Sequence, residues 1–247
     1  MRGVERVLLA GEAEIGVHSA KDLPGTIPGG LEIAAVPERE DPADVWLGTG
    51  GSLEEVPEGA RVGTASLRRR AQLLAARPDL RVEELHGNVD TRLRKLEEGE
   101  LDAIVLAAAG LRRLGRQGEI SFPIPVDGMV PAAGQGALAL QTRTEDERSR
   151  EAAGTINDLK AMRELTAERT VVALLEATCA SPLGAHARVE GDRIVIDAFV
   201  GLPDGSEWLR DRLEAAADEP ALAGAELVQR LLGAGAREIL DRAEEMH

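Results

Sequence analysis

The sequence predicts an α/β protein with two doubly wound domains followed by a small α+β domain. Three observations predict it. Strand-like and helix-like stretches alternate from the start of the chain to about residue 115, as parallel βαβ units do. Two segments rich in proline or glycine, Pro37–Pro42 and Pro131–Gly136, interrupt that alternation where a chain would cross between domains. From Arg188 onward the pattern changes to strands joined by short turns.

The first domain is expected to comprise residues 1–37 and 137–154. It opens on an amphipathic helix, Val4–Leu9, which turns at Gly11 into a buried strand around Ile15–His18. A turn at Pro28-Gly-Gly30 leads to a short strand, Leu31–Val36. The second domain, 43–130, reads as strand Arg61–Thr64, a helix opening near Ser66, strand Val82–Leu85, a helix opening near Asn88, and strand Ala103–Ala107. In the second of these helices Val89, Leu93 and Leu96 fall at i, i+4 and i+7, and Gly99 supplies the stop. Ala137–Thr142 alternates like a strand and returns the chain to the first domain. A long helix, Asp158–Leu175, then leads into the third domain, 159–247, where Glu190–Arg193 and Pro203–Gly205 are hairpin signals and Leu222–Leu232 is a closing amphipathic helix.

Composition excludes several functions. The 247 residues are 43% hydrophobic and 30% charged, which is enough apolar material for real cores and rules out a disordered chain. No apolar run reaches the roughly 20 residues of a membrane span, and the start lacks a signal-peptide core, so the expected location is cytoplasmic, without membrane contact. A net charge of −15 opposes general affinity for nucleic acid, and with two Phe, two Trp and no Tyr there is no stacking platform for single strands. The single Cys179 cannot form an internal disulfide, and the four histidines are scattered, so no metal site is expected. Any acidic ligand must therefore meet a local basic cleft.

Three constellations offer such chemistry. His18-Ser-Ala-Lys-Asp-Leu-Pro24 delivers Ser19, Lys21 and Asp22 at a strand end, where open α/β sheets bind ligands, although a solvated Lys–Asp loop reads equally well. Thr64-Ala-Ser-Leu-Arg-Arg-Arg70 joins hydroxyls and free N–H groups at a helix start to guanidiniums able to grip carboxylates. His86-Gly-Asn-Val-Asp-Thr-Arg92 repeats that turn in kind, and Arg112 and Arg113 follow a third strand. Arg70 reads best as part of a solvated helix face, whereas Arg68, Arg69 and Arg92 together favour an anion site. Cys179 lies in a turn of small residues, Thr178-Cys-Ala-Ser-Pro-Leu-Gly184, and is either an inert filler or a reactive thiol.

These segments, with Leu106-Ala-Ala-Ala-Gly-Leu-Arg-Arg-Leu-Gly115 and Pro131-Ala-Ala-Gly-Gln-Gly-Ala137, resemble hydroxymethylbilane synthase (porphobilinogen deaminase) over essentially the whole chain. The resemblance implies two domains like those of periplasmic binding proteins and a third that carries a dipyrromethane cofactor, bound by a thioether to Cys179. It also implies the joining of four porphobilinogen molecules head to tail with loss of ammonia, then hydrolysis to hydroxymethylbilane, by a cytoplasmic monomer in tetrapyrrole biosynthesis. Mapped by motif, Asp22 is the catalytic carboxylate. Ser19, Lys21, Thr64, Ser66, Arg68, Arg69, His86, Gly87 and Arg92 hold the cofactor, and Arg113 and Gln135 meet the substrate. The pyrroles carry acetate and propionate groups, which gives clustered arginines in an acidic protein a reason to exist.

Two departures set further expectations. The family usually has arginine where this chain has His86, which predicts a weaker, pH-dependent grip. It also normally begins with a further βα segment of several tens of residues, so the first domain is expected to be incomplete, with an exposed sheet edge, fast amide exchange over Met1–Val36 and little turnover. The readings held against an active synthase are a non-catalytic anion-binding module and an inactive truncated copy. Cys179 separates the first of these, since a pure binder has no use for a covalent pyrrole.

Overall fold

A cation at the end of a short helix fixes the start of the chain. In the computed structural model, which describes residues 2–178 and 180–246, α1 (Arg2–Leu9) buries Leu8 completely. Its C-terminal carbonyls are left without intrahelical partners, and Arg143 Nη1 donates to Leu8 O at 2.6 Å and Ala13 O at 2.8 Å. The helix lies on a three-stranded sheet of β1 (Gly16–Ser19), β2 (Leu31–Ala35) and the late strand Leu138–Arg143, which sits between them and runs antiparallel to both. The strand return expected for Ala137–Thr142 is thus observed.

The second sheet has five strands. In chain order they are β3 (Asp44–Gly48), β4 (Arg61–Gly63), β5 (Arg81–Glu83), β6 (Ala103–Ala107) and β7 (Phe122–Ile124), arranged 5-4-6-3-7. β4 is parallel to β5 and β6, as expected. β3 and β7, which the sequence did not announce, extend the sheet by antiparallel pairing. Side chains alternate across it: Trp46 and Val105 join one core with Leu73 of α2 (Leu67–Ala76), while Val45, Leu47, Ile104 and Leu106 join another with Leu93 of α3 (Val89–Glu97) and Leu111 of α4 (Ala108–Arg113). Helices therefore cover both faces. Ser66 and Asn88 are the N-caps of α2 and α3, their side chains accepting from the N–H groups of Arg69 and Thr91.

After β8, the late strand already placed in the first sheet, come α5 (Glu147–Gly154) and α6 (Leu159–Leu174), capped by Asp146 and Asp158. The remaining strands, β9 (Leu183–Glu190), β10 (Arg193–Gly201) and β11 (Trp208–Ala216), form an antiparallel meander. α6, α7 (Pro220–Gly233) and α8 (Ala236–Glu245) supply its core, in which Ile194, Ile196, Leu227 and Val171 are fully buried. The fold is α/β with a C-terminal α+β unit.

One carboxylate ties these parts together. Glu168 of α6 is fully buried and accepts a bidentate pair from Arg39, Nη1 at 2.7 Å and Nη2 at 3.1 Å. It also accepts from the N–H of Gly134 at 2.6 Å and of Ala187 at 2.8 Å, and lies 3.2 Å from His186 Nδ1. Burial alone would raise its pKa, but the Arg39 charge and the His186 contact lower it to about 2. Arg39 and Gly134 belong to the two crossings, so a single α6 side chain fixes both.

Candidate active site

The end of β1 runs into a single 3-10 turn, Ala20–Asp22, which leaves Lys21 and Asp22 exposed and Ser19 half-buried. The turn is gripped from two sides. Ala20 N–H donates to Ala137 O at 3.0 Å, and Arg169 of α6 donates through Nη2 to Pro24 O at 2.8 Å and Gly25 O at 3.1 Å. Behind it Gly134 has φ +72°, and a Cβ there would lie 2.8 Å from Ala20 C and from Lys21 N. Gly134→Ala is expected to cost more than the roughly 1–2 kcal/mol of a left-handed backbone alone, because the clash is with backbone that cannot rotate away. A thermal midpoint within 1 °C of the parent would contradict that.

At the end of β4, Thr64 is buried and its Oγ1 accepts from the Ser66 N–H at 3.2 Å. The next turn presents Arg68 and Arg69, and both are buried. Their charges are matched from below by Asp44, which is fully buried at the start of β3. Arg69 places Nε 2.9 Å and Nη2 2.8 Å from Asp44 Oδ1, and Arg68 Nη1 lies 2.7 Å from Oδ2. Gln135 Nε2 donates to Asp44 Oδ1 at 2.9 Å and to Pro42 O at 2.6 Å. Burial would raise the Asp44 pKa, but the two guanidiniums hold it far below the usual carboxylate range.

Positive charge exceeds what Asp44 neutralises. Arg68 Nε is buried without an acceptor among the described residues. Arg92 donates Nε to Gly87 O at 2.8 Å, and among the described residues it pairs with no carboxylate. Its pKa is lowered by burial and by the neighbouring Arg69 charge. Lys21 is exposed at the surface but partly desolvated by the protein around it. That desolvation, with repulsion from Arg69 and Arg68 only partly offset by Asp22 and Asp44, brings its pKa down from 10.5 to about 8. Lys21, Asp22, Arg68, Arg69 and Arg92 thus share one field, and Thr64, Ser66 and Gly87 build its turns.

Three of the sequence-derived assignments change. His86 is turned away from this role: its side chain is 73% exposed and Nε2 meets Glu84 Oε1 at 2.6 Å, so the ring is engaged by a neighbouring carboxylate. Gln135 is only 1% exposed, with its amide spent on Pro42 and Asp44, so it supports the cluster instead of facing a ligand. Arg68 and Arg69 are not free guanidiniums on a cleft wall, since Arg69 has its Nε/Nη2 edge on Asp44 and Arg68 has Nη1 against it. Arg113 is exposed and donates Nη2 to Gly136 O at 3.0 Å, at the second crossing. Cys179 lies outside the described residues. Asp44, Arg39 and Glu168 were not singled out in the sequence.

The family is decided by comparison. Residues 1–151 match the family described as "Porphobilinogen deaminase, dipyromethane cofactor binding domain", and residues 162–233 match "Porphobilinogen deaminase, C-terminal domain". The chain belongs to the porphobilinogen deaminase family. It is 48% identical over 246 residues to the porphobilinogen deaminase of Campylobacter concisus, covering 98% of this chain and 79% of that one. It is 43% identical to the enzyme of Oceanobacillus iheyensis (99% and 79% covered) and 45% identical to that of Deinococcus radiodurans (99% and 80% covered). A TRAP periplasmic solute binding protein from Desulfovibrio salexigens is similar at a TM-score of 0.40 and 10% identity over 63% of this chain and 57% of that one, too slight a likeness to carry any argument.

The cofactor of porphobilinogen deaminases is a dipyrromethane, and the residues present fit it. A poly-carboxylate needs several cations at fixed spacing, and the cluster offers an Arg68 Nε without an acceptor and an Arg92 without a carboxylate partner among the described residues, and a Lys21 whose charge is disfavoured by its surroundings. Among the described residues no group of three or more His, Cys, Asp or Glu side chains could hold a metal ion, and no helix is long and apolar enough to cross a membrane.

Proposed function

We propose that this chain joins four porphobilinogen molecules head to tail on a dipyrromethane attached through a thioether to Cys179, and releases hydroxymethylbilane by hydrolysis. The observation that carries the site assignment is a surplus of positive charge in a chain of net charge −15: Lys21 feels the charges of Arg68 and Arg69 as well as that of the exposed Asp22 next to it, and Arg92 feels that of Arg69. When bound, the dipyrromethane supplies the pyrrole carbon onto which the first unit is joined.

The chain's own groups divide the work. Arg68, Arg69, Arg92 and Lys21 hold acetate and propionate carboxylates, and the low water content around the buried guanidiniums strengthens each contact. Asp22 lies at the open end of the 3-10 turn. As the aminomethyl C–N bond of porphobilinogen breaks and ammonia leaves, cationic charge develops on the pyrrole, and the Asp22 carboxylate stabilises it. The same carboxylate takes the pyrrole proton lost when the new C–C bond forms. Arg113, assigned by its motif position, meets the carboxylate of an incoming porphobilinogen. Three domains, one built on each sheet, a cytoplasmic location and a monomeric state complete the reading.

Lys21 gives the site a pH dependence. With a pKa of about 8 it is charged below that pH and loses its charge above it, so the KM for porphobilinogen is expected to rise as pH passes 8 toward 9.5. Lys21→Arg should flatten the rise, and an identical profile in that variant would remove Lys21 from substrate binding.

Intact-mass measurement tests the reading as a whole. The purified full chain is expected to carry a dipyrromethane adduct that Cys179→Ser abolishes. An adduct that survives Cys179→Ser, or a folded chain that carries none after incubation with porphobilinogen, would contradict it.

A further inference from the structure

The mapped motifs give Arg68 a ligand and leave open what aims it. A guanidinium has two bidentate edges, one formed by the two Nη atoms and one by Nε with Nη2. In Arg68 the Nη1 atom donates to Val130 O at 2.7 Å and stands in ion-pair contact, without a hydrogen bond, 2.7 Å from Asp44 Oδ2. Nε is buried without an acceptor among the described residues, and none of the hydrogen bonds described there involves Nη2. The held end and the free edge are therefore opposite sides of one group. Asp44 holds Arg69 by the other edge, Nε and Nη2 on Oδ1, with Val105 O taking Nη1 at 3.0 Å.

Asp44 is itself fixed. It is fully buried, and its Oδ1 already accepts from Arg69 and Gln135. Gln135 Nε2 bonds its Oδ1, and Gln135 O accepts from Arg39 Nε at 3.0 Å, the arginine that Glu168 grips. A continuous chain of bonded groups thus runs from α6 through the two crossings to the arginines. We propose that Asp44 is a positioning residue for the cofactor's carboxylates: by anchoring Arg68 at Nη1 and Arg69 at Nε and Nη2, with Gln135 as its brace, it presents the Nε edge of Arg68 to the ligand. This rests on the reading that Arg68 and Arg69 hold those carboxylates.

Two effects of removing the Asp44 charge compete. More net positive charge would draw an anion more strongly, but an asparagine would turn its amide donor toward Arg68 Nη1, and the two donors would push the guanidinium out of register. Geometry wins here, because a bidentate contact needs both N–H groups aligned, whereas the extra charge acts without direction.

The test compares Asp44→Asn, Asp44→Glu, Gln135→Met and Arg68→Met in the full chain. It reads the fraction carrying the dipyrromethane adduct by intact mass and the fold by circular dichroism. Asp44→Asn is expected to assemble the adduct about tenfold more slowly, the order of one lost charge-assisted bond. Asp44→Glu should recover part of that rate, and Gln135→Met should fall between. If Asp44→Asn does not fold, Gln135→Met carries the test, since it removes only the brace. Normal assembly in folded Asp44→Asn, or in folded Gln135→Met where the former does not fold, overturns the proposal, provided Arg68→Met is slow. Normal assembly in Arg68→Met overturns instead the reading of the arginine on which it rests.

Discussion

Asp22→Asn is expected to lower porphobilinogen turnover by roughly 10²- to 10⁴-fold, the range that a positioned proton-transfer group supplies. The replacement keeps the shape of the side chain and removes its charge, and charge is what a developing cation requires. Asp22 is exposed, and the hydrogen bonds that hold its turn run from Ala20 to Ala137 and from Arg169 to Pro24 and Gly25. None of these uses the Asp22 side chain, so thermal stability should change little while turnover collapses. Steady-state assays with circular dichroism on the same sample check both halves. Turnover within threefold of the parent would remove Asp22 from the chemistry.

Glu168→Gln is expected to have the largest effect on stability. Removing one partner of a buried pair leaves the other charge uncompensated, which costs about 3–5 kcal/mol. Here Arg39, itself buried, would lose its bidentate acceptor and keep only the more distant Glu164 Oε2 at 3.6 Å, which places the expected cost at the lower end of that range, while the N–H groups of Gly134 and Ala187 kept only a neutral oxygen. The wild-type protein should show the same loss by pH. Its Glu168 pKa is about 2 against an ordinary 4.5, so the folded state favours the ionised form. The stabilisation is therefore complete above about pH 4.5 and is lost as pH falls toward 2. Urea midpoints of wild type and Glu168→Gln should converge over that window and stay apart at neutral pH. Parallel curves from pH 7 to 2 would place the effect elsewhere.

What could be read from the sequence was what local interactions determine. Ser66, Asn88 and Asp158 were legible as helix starts because a cap bonds within three residues, and the structure has each accepting from the N–H three positions on. Two strands of the second sheet were hidden for opposite reasons. Asp44–Gly48 follows a charged, proline-bounded linker and opens on a carboxylate, whereas Phe122-Pro-Ile124 contains a proline that a central strand would not tolerate and an edge strand does. The supporting half of the site is non-local. Asp44 meets Arg69 across 25 positions and Gln135 across 91, and Glu168 meets Arg39 across 129, distances at which spacing carries no signal. His86 shows the converse: its motif position suggested a ligand contact, and a neighbour two residues away, Glu84, takes the ring instead.

The central claim is that the cationic cluster and Asp22 serve a covalently primed condensation. The most direct measurement follows ammonia and hydroxymethylbilane together while the adduct-bearing protein is supplied with porphobilinogen. Four ammonia molecules released per hydroxymethylbilane, with the Cys179 adduct unchanged in mass at the end, is the predicted result. Porphobilinogen bound without ammonia release by a folded, adduct-bearing protein would contradict it.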